Sequence, residues 1–124
     1  MTTVLAVDDS VTMRKVLEIT FGGDQYQAVV AATAGEALAL LRSERPALLV
    51  TDHTLPDMTG YDLAREAKTA SPATAVLVLS SKQSPYDKAR GAASGVDDFM
   101  DKPFDTQKLL DKVAQVLAAP RVQL

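Results

Sequence analysis

Val4-Leu5-Ala6-Val7-Asp8-Asp9 runs four apolar residues directly into two carboxylates, and the same construction recurs downstream. Leu48-Leu49-Val50-Thr51 leads into Asp52, and Val76-Leu77-Val78-Leu79 leads into Ser80-Ser81. A fourth, weaker run from Val96 to Met100 is interrupted by Asp97-Asp98 and leads into Asp101-Lys102-Pro103. Short apolar runs bounded by polar or turn residues read as strands buried on both faces of a parallel sheet. Ligands of such sheets bind in the crevice beyond the carboxyl ends of the strands. The pattern therefore brings three carboxylates, a hydroxyl and an ammonium to one edge, a set suited to a divalent metal and a phosphoryl group.

Helical patterns lie between the runs. Ser10 can cap a helix from Val11 to Phe21, with Met13, Leu17 and Phe21 at helical spacing, and Gly22-Gly23 stops it. Tyr26 to Ala31 reads as the second strand. Thr33-Ala34-Gly35-Glu36 is a capping box for a helix whose apolar face carries Ala37, Leu38 and Leu41. Pro46 ends that region and opens a strand over Ala47 to Thr51. Pro56 to Thr59 is a loop, and Thr59 with Asp62 caps a helix from Gly60 to Thr69, which Ser71-Pro72 breaks. The fourth strand is Ala75 to Leu79. Ser84 with Pro85 at the first helical position predicts a helix to Ser94, stopped by Gly95. Val96 to Met100 is the fifth strand. Asp105 caps a last helix to Ala118, with Leu109, Leu110, Val113 and Leu117 facing inward.

Five strands and five helices in strict alternation imply an α/β fold, a doubly wound parallel sheet with right-handed crossovers. For five strands the flavodoxin-like order 2-1-3-4-5 is expected, with its switch point between strands 1 and 3, where Asp8, Asp9 and Asp52 would meet. The 124 residues fit one domain with one core. A net charge of −3 without a Lys/Arg cluster argues against a nucleic-acid binder. No apolar run approaches the roughly 20 residues of a membrane span, and the first residues lack a basic signal-type region, so a cytoplasmic location is the expectation. The absence of cysteine excludes disulfides and thiolate chemistry, and a single histidine, His53, excludes a multi-histidine metal site.

Three clustered carboxylates repel one another and raise one another's pKa. A hard divalent cation relieves this, and Mg2+ prefers one or two carboxylates, a carbonyl and waters over a full protein cage. Asp9 and Asp52 suit that arrangement, with a backbone carbonyl from the loop after Asp52 and with Asp8 acting directly or through water. Lys102 changes what the pocket can hold, because an ammonium beside a bound metal leaves room for a dianion between them. A carboxylate can attack phosphorus and form an aspartyl phosphate. Ser80 could donate a hydrogen bond to a phosphoryl oxygen. None of these residues alone points to this chemistry; their combination does.

From about Thr3 to Ala118 the chain resembles the response-regulator receiver domains of two-component signalling, the CheY-like family. The likeness rests on Val7-Asp8-Asp9-Ser10, on Asp52-His53-Thr54-Leu55-Pro56-Asp57-Met58-Thr59-Gly60, on Ser80, and on Lys102-Pro103-Phe104, in that order and at these intervals. The segment from Val7 to Val16, VDDSVTMRKV, is similar to chemotaxis-type single-domain regulators. The resemblance implies one receiver domain over residues 1–119, followed at 120–124 by a tail or the start of a linker. It implies Asp52 as phosphoacceptor, Asp8, Asp9, Asp52 and the Thr54 carbonyl as the Mg2+ site, and Lys102 in contact with the phosphoryl group across a cis Lys102-Pro103 bond. It implies Ser80 as the switch hydroxyl, with Phe99 where the family often carries a switch tyrosine. A sensor histidine kinase would supply the phosphoryl group. The face formed by helix 4, strand 5 and helix 5 would bind an output protein or domain, or a second receiver to give a phosphorylation-dependent dimer. Neither membrane nor nucleic acid would be a partner of this domain. Self-phosphorylation and autodephosphorylation would be its only chemistry, so it is not classed as an enzyme.

The chain departs from the family pattern at several points. Ser81 stands where a smaller residue is usual, and Phe99 lacks a phenol oxygen. Thr54 and Lys82 occupy the two positions that influence water attack on the acyl phosphate, and neither is built to orient water, so slow self-dephosphorylation is expected. His53 reads as a loop spacer, not a base. Tyr61 and Tyr86 read as helix-surface or packing residues. A phosphorylation-independent pseudo-receiver, a constitutive binding module, is the alternative, opposed by the complete set of Asp8, Asp9, Asp52 and Lys102. A phosphatase or phosphotransferase of similar topology would need a cap domain for which this length leaves no room.

Overall fold

In a computed structural model of the chain, residues 1–81 and 85–119 are described. The elements are β1 (Thr2–Val7), α1 (Val11–Thr20), β2 (Tyr26–Ala31), α2 (Ala34–Glu44), β3 (Leu48–Asp52), α3 (Gly60–Ala70), β4 (Ala75–Ser80), α4 (Lys88–Ser94), β5 (Asp98–Asp101) and α5 (Thr106–Ala118). All strand pairs are parallel and the order is β2-β1-β3-β4-β5, the doubly wound arrangement expected. The switch point falls between β1 and β3, where Val7 pairs with Thr51 and the next residue of each strand is an aspartate. No helix among the described residues is long and apolar enough to cross a membrane.

The continuous apolar runs became the central strands because both faces of the sheet are covered. Along β1, Val4 and Ala6 point to one side and Leu5 and Val7 to the other, as the two-residue repeat of a strand demands. One core packs Leu17 and Phe21, with Leu109, Val113 and Val116 of α5, against Leu48, Val50, Leu77 and Leu79. The other packs Ala34, Ala37 and Leu41 of α2 and Leu63, Ala64 and Ala67 of α3 against Leu49, Val76 and Val78. The expected caps form: the side chains of Ser10, Thr33, Thr59 and Asp105 accept backbone amides of the first turns of α1, α2, α3 and α5.

Three expectations are corrected. Helix α4 starts at Lys88, not Pro85, and its cap is Asp87, whose carboxylate accepts the Arg90 amide. Ser84, the expected cap, lies outside the described residues, as do Lys82 and 120–124. The reason for the late start is tertiary: the Asp87 amide is held by the Tyr61 hydroxyl of α3 at 2.7 Å. Strand β5 begins at Asp98 instead of Val96, because the Asp97 carboxylate itself accepts the Val76 amide at 2.8 Å and takes a ladder position. On α5 the buried stripe is Leu109, Val113 and Val116, with Leu110 and Leu117 only half-buried. Spacings of four and three residues keep that stripe on one helical face.

Candidate functional site

Each strand ends where its apolar run ends, so the polar residue that follows is delivered to the carboxyl edge. Asp8, Asp9 and Asp52 each bring a carboxylate oxygen within 4.8 Å of the others. Asp8 is only 2% exposed, while Asp9 is exposed and Asp52 half-buried. Lys102 arrives from the loop after β5 and its Nζ lies 2.9 Å from Asp8 Oδ2 and 3.2 Å from Asp52 Oδ1. Residues 94 positions apart in sequence thus share one ion pair. The Lys102-Pro103 peptide that carries the ammonium there is cis.

The electrostatics are those of two acids competing for one cation. Burial pushes the Asp52 carboxyl up; the Lys102 ammonium pulls it back and Asp8 adds to the rise, leaving it above its ordinary value. Burial alone would pull Lys102 down, but the bond and charge of Asp8 and the charge of Asp52 outweigh it and hold the ammonium above its usual range. The shifts on Lys102 and Asp52 differ in meaning: the pair favours charged lysine, yet Asp52 gains too little to repay its burial. The difference follows from the shorter contact to the more buried Asp8. Three carboxylates and one ammonium leave two negative charges among hard oxygen donors, which is the charge and chemistry that a divalent cation such as Mg2+ neutralises.

Backbone geometry fixes the acceptor loop. The His53 amide donates both to Asp52 Oδ1 at 2.8 Å and to Leu79 O at 2.9 Å. The loop then folds back through a Leu55 N to Met58 O bond of 3.0 Å, and Gly60 N reaches His53 O at 2.7 Å. A Cβ on Gly60 would stand 2.5 Å from Asp52 O, so this approach requires glycine. Thr54, the expected carbonyl donor, is an exposed residue of this loop. Ser80 is fully buried at the end of β4, and its hydroxyl donates to Asp101 Oδ1 at 3.3 Å. Phe99 is not at the carboxylate cluster; it lies half-buried on β5, stacked on Tyr86 with ring centroids 4.2 Å apart.

Sequence reading missed three parts of this edge. Asp57 accepts the amides of Ala34 at 2.9 Å and Gly35 at 3.0 Å, clamping the loop to the first turn of α2. Those two bonds hold its carboxyl below the usual range. His53 and Tyr61 are linked, ring nitrogen Nε2 to phenol oxygen at 3.1 Å, and of the two roles expected for Tyr61 it takes the packing one, at 1% exposed. Asp101 meets the Ser80 hydroxyl. An acid beside a proline and a histidine beside an acid look like turn and loop residues; the fold gives Asp57 its partners on α2 and His53 its partner on α3.

The response regulator receiver domain family matches this chain over residues 4–114. Response regulator MprA of Mycobacterium leprae is 30% identical over 92% of this chain and 50% of its own length. MprA of Mycobacterium ulcerans is 28% identical over 97% of this chain and 52% of its own. The chain thus spans about half the length of these curated relatives. Among solved structures, Vibrio cholerae chemotaxis protein CheY4 superposes with a TM-score of 0.87 at 33% identity, covering 94% of this chain and 98% of that one. A CheY-like receiver domain protein from Methanospirillum hungatei gives 0.87 at 28% identity, covering 94% of each. With the family match running over residues 4–114, most of the fold, the chain belongs to the response regulator receiver domain family, the receiver module of two-component signalling.

Proposed function

We propose that the chain is a phosphorylation-controlled switch in which Asp52 accepts a phosphoryl group from a sensor histidine kinase or a small phosphodonor. The observation that carries this reading is the Lys102 ammonium bridging Asp8 and Asp52 inside a cluster that also includes Asp9. Asp8, Asp9, Asp52 and the Thr54 carbonyl would hold Mg2+, which when bound neutralises phosphoryl oxygens and relieves the repulsion among the acids. One Asp52 carboxylate oxygen forms the new O–P bond. The bond from phosphorus to the donor nitrogen or oxygen breaks, and the leaving group keeps that electron pair. Lys102 is already within ion-pair distance of the acceptor and can turn to a phosphoryl oxygen. Ser80 leaves Asp101 to donate to the same group. The added charge then biases α4, β5 and α5 toward a second arrangement, read by an output protein or domain or by a second copy.

The test is intact mass after incubation with acetyl phosphate and Mg2+, beside Asp52→Asn. Gain of a single phosphoryl group, lost in Asp52→Asn and lost without the metal, is expected. No gain in a wild-type chain that binds Mg2+ would sink the reading. Ser80→Ala should still be phosphorylated while its response at α4 and β5 weakens.

A further inference from the structure

A row of four rings leads from the acceptor loop to β5. His53, the residue after Asp52, meets Tyr61 edge-on with centroids 4.9 Å apart; Tyr61 lies 5.7 Å from Tyr86, and Tyr86 stacks on Phe99 at 4.2 Å. A hydrogen-bond path runs through the first two. His53 Nδ1 lies 3.2 Å from Thr54 Oγ1 and Nε2 lies 3.1 Å from Tyr61 Oη. The same Oη accepts the amide of Asp87, the cap of α4, at 2.7 Å. In the neutral ring every role closes: Nδ1–H donates to Thr54, the Tyr61 hydroxyl donates to Nε2, and its oxygen accepts from Asp87. The Arg90 guanidinium of α4 sits over the Tyr61 ring, 4.5 Å from its centroid.

We propose that His53 and Tyr61 are positioning residues that transmit the state of Asp52 to the first turn of α4. The proposal rests on the reading of Asp52 as phosphoacceptor. Asp52 Oδ1 accepts both the His53 amide and the Lys102 ammonium. When phosphorus bonds through the other oxygen, Oδ1 changes from half of a carboxylate to an acyl carbonyl, and the negative charge moves out to the phosphoryl oxygens. A charge-assisted bond becomes an ordinary one, and the His53 amide shifts its weight toward Leu79 O, its second acceptor. The imidazole moves with that backbone. Tyr61 is almost wholly buried, so its hydroxyl cannot exchange a lost partner for bulk water, and the displacement passes to the Asp87 amide. Phe99 can pack in this row but its side chain cannot form a hydrogen bond, so among the described residues the directional contact along the row to α4 is the Tyr61 hydroxyl.

The experiment compares amide resonances of the 15N-labelled chain before and after acetyl phosphate with Mg2+, in wild type and Tyr61→Phe, with intact mass taken on each sample. Tyr61→Phe keeps the ring and should take up the same phosphoryl mass as wild type. Phosphorylation-induced shifts at Ser80 should persist, while those from Asp87 to Gly91 should shrink by about twofold or more, the lower range for losses along coupled chains. His53→Ala should do the same, and the double variant should lose no more than either alone. Full-sized shifts at Asp87 to Gly91 in phosphorylated Tyr61→Phe, or additive losses in the double variant, would overturn the proposal and leave the phosphoacceptor reading standing. Changes confined to the resting spectrum would also overturn it, since they would make Tyr61 a simple anchor of α4. Failure of wild type to gain mass would remove both.

Discussion

The two faces of the sheet are covered by helices held in different ways. On one face, α5 runs 13 residues and buries Leu109, Val113 and Val116, and α1 adds Leu17 with Phe21 just beyond it. This attachment is apolar area, non-directional and summed over many contacts. On the other face the buried positions of α2 and α3 are mostly small, including Ala34, Ala37, Ala64 and Ala67. The seven-residue α4 buries only Gly91 and Ser94. Here polar clamps do part of the holding: Asp57 on the first turn of α2, Tyr61 on the Asp87 amide, and Lys68 Nζ on Thr74 O at 2.8 Å and Asp97 at 2.9 Å. The difference separates a foundation from a region that single bonds can release. Segments with little apolar burial of their own open at low free-energy cost, and α4 has that character beside the proposed switch.

The largest test of this contrast is Leu109→Ala. Truncating a fully buried leucine costs about 2–5 kcal/mol of unfolding free energy, measured by urea denaturation. A loss below about 1 kcal/mol would mean that the α5 face is not the foundation described. Next comes Ser94→Ala. Ser94 Oγ is buried without a hydrogen-bond partner among the described residues. Removing such a group should stabilise the chain by about 1 kcal/mol and slow amide exchange in α4 without slowing it in α5. Equal slowing in both helices would mean that α4 is not an independent unit.

Gly91→Ala acts on the same helix with a smaller net effect. A methyl group there would collide with the Tyr86 hydroxyl. Loss of the Tyr86–Phe99 stack, worth about 0.5–1.5 kcal/mol, is offset by the roughly 1 kcal/mol that alanine gains over glycine in a helix. Stability should barely change, but the ring must leave. Burial first, and then the neighbouring Tyr61 and acidic charges, raise the Tyr86 phenol to about 12. In Gly91→Ala it should titrate near the ordinary value of about 10, followed by ultraviolet absorbance. An unshifted titration would show that the row of rings tolerates the methyl group.

The legibility of the chain follows the same division. Strands β1, β3 and β4 are readable because burial on both faces demands unbroken apolar runs, and the acidic edge is readable because each run stops where its strand stops. The cluster of Asp8, Asp9, Asp52 and Lys102, with Ser80 at the end of β4, needs no long-range knowledge beyond strand order. The clamped face is where reading by local pattern fails. Ser84-Pro85 is a strong local start signal, yet the Asp87 amide is claimed by a phenol 26 residues away and the helix begins after it. Val96 and Asp97 look like strand residues, yet the Asp97 carboxylate replaces a backbone partner. Leu117 is the larger side chain, yet the helical period favours Val116 for the buried stripe. Directional bonds between distant residues leave no periodic trace in sequence.

The mildest test is acid, and it reads the clamp alone. The Ala34 and Gly35 amides lower the folded pKa of Asp57 below its unfolded value. A depressed carboxyl pKa contributes stability that is complete above the unfolded pKa of about 3.9 and drains away as pH falls through the lower folded value. The carboxylate is solvent-exposed, so the effect should stay local to the junction of the loop and α2. Lowering pH from about 5 to about 2.5 should therefore shift the Ala34 and Gly35 amide resonances and lower their protection relative to the unfolded chain at the same pH before the interior of α5 responds. Asp57→Asn keeps an acceptor oxygen but removes the titrating group, so it should flatten the pH dependence at these two amides. If the amides of Leu109 and Val113 lose protection in the same step, the two faces unfold as one unit, and the distinction between foundation and clamp fails at its weakest contact.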